Sequence, residues 1–133
     1  MPFQIEISNR DNKRIIVKFD FLTLNTWSYE YVSHDQNYTD NSETGPTCHI
    51  LGIKNDLLYK SNSYDISFTN TRDTDEPFSV TAKWYLEKNN NGFISCEDLD
   101  DDEKFEVLKS KIYTGTIPSN NPNYSIYETL TYK

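Results

Sequence analysis

The 133-residue chain holds only two Cys, four Gly, two His and one Met, and none of its apolar runs approaches the ~20 residues that a membrane-spanning helix needs. Each scarcity excludes something. Two cysteines, Cys48 and Cys96, are too few for a disulfide scaffold and predict two free thiols in a reducing compartment. The glycines stand isolated at 45, 52, 92 and 115, which leaves no phosphate-cradling loop. The only imidazoles, His34 and His49, are a thin supply for acid–base chemistry. Cys48 beside His49 is not a nucleophile pair, because neighbours on a strand point to opposite faces. Nor do Cys48, His49, Cys96 and His34 follow a zinc-ligand spacing. Acidic residues outnumber basic ones 21 to 13, for a net charge of −8 and a pI near 4.6. With no basic cluster beyond Arg10, Lys13 and Arg14, nucleic acid is excluded as a partner. The opening Met1 to Glu6 lacks a basic start and an apolar stretch, so the expected product stays in the cytoplasm as synthesised, with release only at a later stage.

What the chain does have is aromatic rings: 10 Tyr, 7 Phe and 2 Trp. A mean hydropathy of −0.77 is low, but rings spread from Phe3 to Tyr132 mark a folded chain. The length predicts one domain over residues 1–133.

Strand patterns dominate. Phe3, Ile5 and Ile7 alternate with polar neighbours, and Asn9 to Asn12 reads as the turn of a β-hairpin whose return places Ile15, Val17 and Phe19 on one face. Trp27, Tyr29 and Tyr31 alternate against Ser28 and Glu30; Tyr64, Ile66 and Phe68 against Ser63, Asp65 and Ser67. The clearest strand sets Phe78, Val80, Ala82, Trp84 and Leu86 on one face. Tyr124, Ile126, Leu130 and Tyr132 form a closing strand interrupted by Glu128. His34 to Pro46 reads as a long polar loop, a class of segment that often carries function. Phe105, Leu108 and Ile112 fit helical spacing and in part strand alternation, and Asp100 with Lys104 at i,i+4 tips the reading to a short helix near 100–110. Many short strands without a βαβ rhythm predict an all-β fold, mainly an antiparallel β-sandwich.

The densest charge is Glu97, Asp98, Asp100, Asp101, Asp102, Glu103 and Glu106 against Lys104, a window worth −6. Such a cluster is a solvated face, a site for Ca²⁺ through Asp98, Asp100, Asp101 and Asp102, or a docking surface for a basic protein through Glu97, Asp100, Asp101, Asp102 and Glu103. No cofactor is expected, unless these carboxylates take Ca²⁺ or another hard cation. Glu87 to Asp98 resembles an EF-hand loop at Asn89, Asn91, Gly92 and Ile94, but Glu87 is too long for the first position and Asp98 too short for the last. The strand pattern just before it leaves no entering helix, so Lys88 to Gly92 is read as a hairpin turn.

The opening Ile5-Glu6-Ile7-Ser8-Asn9, then Ile15 and Val17, then Leu22 or Leu24 and Trp27, resembles the first two strands and following Trp of aegerolysin-type proteins. That resemblance implies a β-sandwich that recognises membrane lipids and acts in some members with a larger partner as a toxin component. It also implies ligand contact at Trp27, Tyr29 and Tyr31. The expected function is therefore a non-enzymatic, lectin-like recognition module for a lipid headgroup, glycan or protein. Its rivals are an acidic inhibitor or immunity-type protein, and a Ca²⁺-dependent adhesion or storage protein.

Overall fold

A computed structural model describes residues 2–34, 36–45, 47–90 and 92–133. The order of elements is β1 (Phe3–Ile5), β2 (Arg14–Thr23), β3 (Thr26–Ser33), β4 (Gln36–Asn41), β5 (Cys48–Ile53), α1 (Lys54–Leu57), β6 (Ser61–Asn70), β7 (Glu76–Glu87), β8 (Phe105–Ile117) and β9 (Asn121–Tyr132). They form two facing sheets, β1-β9-β6-β3-β4 and β5-β2-β7-β8. The all-β sandwich expected from alternation is the fold observed.

Alternation fixes the core because side chains two apart on a strand share a face. Phe19, Tyr31, Tyr64, Ile66, Phe68, Val80, Ala82 and Trp84 are all buried between the sheets. Each such large apolar side chain contributes about 1.5–3 kcal/mol over leaving it exposed. Phe21 stacks on Trp27 at 3.8 Å and 5°, which closes one end of the core. At its centre Trp84 Nε1 donates to the Tyr31 hydroxyl at 3.1 Å, and the Tyr31 and Tyr132 hydroxyls both donate to Asn62 Oδ1, at 2.6 and 3.1 Å. The polar ends of three aromatic side chains are thus satisfied inside the core.

Four expectations are corrected. The opening hairpin does not form: β1 pairs in parallel with β9 in one sheet, through Phe3↔Leu130 and Ile5↔Tyr132, while β2 lies in the other. The expected loop 34–46 contains β4, an edge strand whose polar sequence hides its period; residues 35 and 46 lie outside the described residues. No helix forms near 100–110. In this part of the chain helical geometry is confined to a 3-10 turn at Cys96–Asp98, and Phe105 begins a strand. The register shift opposite Trp84 and Tyr85, which pair with Lys109 and Val107, leaves Leu108 as an extra residue. That bulge breaks the two-residue period and makes the segment mimic helical spacing. Lastly, Cys48 and Cys96 are not free thiols: they form a disulfide with Cα atoms 5.5 Å apart. A count of cysteines cannot show that the fold brings two distant segments within bridging distance.

Strand β8 is a free edge, and it points two lysines toward the inside of the sandwich. Lys111 Nζ lies 4.9 Å and Lys109 Nζ 5.9 Å from the centre of the Phe3 ring.

Candidate functional site

The outer faces of the two sheets differ. On the four-stranded sheet, residues 88–90 and 92–104 fold back over one end, where Ile94 and Leu99 pack on Ile16, Tyr85 and Phe105 in a small second core beside Cys48. The disulfide ties this cover to β5. Arg14 clamps its root, donating to both carboxylate oxygens of buried Glu87, at 3.0 and 2.5 Å, and to the Gly92 carbonyl at 2.7 Å. Glu87, the residue at the first EF-hand position, is therefore part of an ion pair at the end of a strand, and Asn91 of that motif lies outside the described residues.

On the five-stranded sheet the register sets outward side chains in rows across the strands. Glu30 pairs with Thr39 on one side and Asp65 on the other, and Asp65 pairs with Tyr127. One row along, Ser28 pairs with Asn41 and Ser67, and Ser67 with Ser125. Ser28, Glu30, Thr39, Asn41, Asp65 and Ser67 line a recess of about 600 Å³, walled by Thr44 of the β4–β5 turn, with Tyr29 and Asp40 beneath. Tyr127 is 65% exposed. Opposed side chains in such rows sit about 5 Å apart, the spacing at which one ligand can bridge them.

Below the recess a polar cluster joins the sheets. Asp40 Oδ2 accepts from the Tyr29 hydroxyl at 2.5 Å and the Thr47 hydroxyl at 2.8 Å, and lies 3.1 Å from His49 Nε2. The Tyr29 oxygen is 2.8 Å from the same nitrogen, and the Tyr38 ring covers the imidazole at 4.9 Å. Burial holds His49 below the ordinary imidazole range, against the opposing pull of Asp40. Burial, and then the Asp40 carboxylate, pushes the Tyr29 hydroxyl far above the phenol range. These groups are saturated by one another and aim nothing at a substrate. A second groove, of about 650 Å³, opens beside them between edges β4 and β5, lined by His34, Gln36, Tyr38, Asn55, Asp56 and Lys60 among others.

The residues expected to contact ligand are turned the other way. Trp27, Tyr29 and Tyr31 are 7%, 3% and 0% exposed, because their face of β3 is the core face. Their outward neighbours Ser28 and Glu30 hold the surface, as do Asp65 and Ser67 on β6. Of the acidic cluster, Glu97, Asp100, Asp101, Asp102 and Glu103 are exposed on the rim of the cover, while Asp98 is half-buried and paired with Lys104 at 3.4 Å. Among the described residues no three His, Cys, Asp or Glu side chains are placed to hold a metal ion, Asp98, Asp100, Asp101 and Asp102 included. Among the described residues no helix is long and apolar enough to cross a membrane.

No family model, curated protein or solved structure matches this chain.

Proposed function

We propose that the protein is a non-enzymatic recognition module that takes a saccharide on the outer face of its five-stranded sheet. The observation that carries this reading is the row Thr39–Glu30–Asp65–Tyr127, flanked by Asn41, Ser28, Ser67 and Ser125. Sugar hydroxyls need paired acceptors and donors held at fixed spacing, together with an aromatic ring for their apolar faces. Carboxylates, hydroxyls, an amide and an exposed tyrosine supply this set on a rigid sheet. A rigid surface also loses little conformational freedom when it binds.

The test is a broad glycan array followed by titration of the best ligand. Glu30→Gln, Asp65→Asn and Tyr127→Ala are each expected to weaken binding by about tenfold or more, the equivalent of one good polar or stacking contact. Their melting temperatures should stay near that of the parent. Absence of saturable binding anywhere on the array, or equal affinity in all three variants, would overturn the reading. Saturable binding to lipid vesicles instead would move it to a headgroup and to a toxin-component role.

A second reading, an acidic inhibitor that docks on a basic protein, is supported by the way five acidic side chains of the 97–103 segment stand exposed on a backbone pinned by a disulfide. Asp100→Asn, Asp101→Asn and Asp102→Asn combined should then abolish capture of that partner without unfolding the chain.

A further inference from the structure

The cover over the four-stranded sheet is joined to β5 by one covalent bond and also held by polar contacts, Arg14 to the Gly92 carbonyl, Lys13 to Asn90 and Tyr85 to Asp100, and the surroundings of that bond suit it to being opened. Cys48 and Cys96 are both only part-buried. Cys48 packs on the small second core and neither cysteine belongs to the main one, which is built from the two sheets themselves. The segment contributes only Ile94 and Leu99 to that small core, with Phe105 at its end. The same segment carries Glu97, Asp98, Asp100, Asp101, Asp102 and Glu103 against Lys88 and Lys104, so its charges push it apart once it is free. Phe93 within it is 90% exposed and contributes nothing to holding it down. Finally, the Cys48 backbone N–H donates to Cys96 Sγ at 3.0 Å, which stabilises a thiolate at Cys96 and so makes that sulfur the better leaving group.

We infer that Cys48–Cys96 is a reducible latch: oxidised, it closes residues 92–104 over the sheet; reduced, it releases this acidic flap and bares Ile16, Tyr85 and Phe105 while the sandwich stays folded. The reductant is a dithiol, either dithiothreitol or a protein dithiol. One of its thiolates attacks Cys48 Sγ, the Cys48–Cys96 bond breaks, and Cys96 leaves as a thiolate and takes up a proton. The second thiol of the reductant then attacks the mixed disulfide, freeing Cys48 as a thiolate that is protonated in turn. Two electrons and two protons have passed to the protein, and the reductant ends as its own disulfide.

Trypsin reads the flap directly, since Lys88 stands just before it and Lys104 at its end. After millimolar dithiothreitol, with thiols titrated to confirm reduction, cleavage at these lysines is expected to rise by about tenfold or more, tracking the population of the open form. Far-UV circular dichroism and the emission of buried Trp27 and Trp84 should not change. A Cys48→Ser, Cys96→Ser double variant should show the same fast cleavage without reductant. The inference is overturned if the bond resists dithiothreitol, if the reduced chain is cut no faster than the oxidised one, or if reduction or the double variant costs the sandwich its circular dichroism, since the bond is then a structural staple.

Discussion

Glu30 and Asp65 stand directly opposite each other on β3 and β6, two carboxylates paired across strands on an open sheet face. Among the described residues Glu30 accepts only from the Asn37 amide, at 3.3 Å, and neither acid has a Lys or Arg in reach. Like charges directly opposed cost about 0.2–1 kcal/mol. Asp65→Asn should therefore raise stability by a few tenths of a kcal/mol. Chemical denaturation at low and high salt checks this: the gain should shrink as salt screens the pair. A variant that loses ligand while gaining stability would separate a binding role from a structural one.

Arg14 and Glu87 give the opposite expectation. Glu87 is 2% exposed, and Arg14 is bonded to both of its carboxylate oxygens. Removing one partner of a buried pair costs about 3–5 kcal/mol, and Arg14→Leu should fall at the lower end because the guanidinium is partly open to water. Replacing both, Arg14→Leu with Glu87→Leu, should recover much of that loss. Urea midpoints of the two single variants and the double close the cycle.

His49 predicts a pH dependence with a definite sign. Its folded pKa lies below the ordinary imidazole value of 6.5, so the unfolded chain binds the proton first as pH falls. Stability rises with pH wherever the unfolded state holds more protons. The contribution of His49 is thus complete above the unfolded pKa and declines as pH drops through the ordinary imidazole range and below it. Denaturant midpoints across that range should show the decline, and His49→Gln should flatten it.

Gly115 on β8 is held by space and not by backbone freedom. A Cβ there would come within 2.8 Å of the Phe78 ring. That ring is packed 4.7 Å from Phe68 and 5.6 Å from Tyr124, so it has nowhere to retreat. Gly115→Ala should cost about 1–3 kcal/mol, the range for overpacking a tight core. Gly45, with open space around it but a φ of +82°, should lose less on the same change, and through backbone strain alone.

The core was legible where the alternation ran unbroken. On β6 and β7 every apolar residue singled out is buried or nearly so, since a fixed two-residue period leaves no other face for it. On β8 the bulge at Leu108 reset the period, and on β4 the inward positions, Tyr38 and Asp40, are too polar to register as a core face. The candidate site was present in the same patterns with its sign reversed. Ser28, Glu30, Asp65 and Ser67 are the polar half of the alternation that buries Trp27, Tyr29, Tyr31, Tyr64 and Ile66. Rings suggest contact, yet in a sandwich they are drawn inward first, and the recess is left to their neighbours. Only the order of strands, which alternation does not encode, joins β4, β3, β6 and β9 into one face.

The two lysines that lean from β8 over Phe3 bear on how this chain behaves in company. A 13-residue strand with one unpaired side offers a long template for another chain to extend the sheet. An incoming strand laid against it would have to bury two ammonium groups in a dry seam, at the desolvation cost any unpaired buried charge carries. Lys109 and Lys111 thus act as wardens of the fold's longest open border, and a crowded solution of these molecules is kept from zipping into fibres along it.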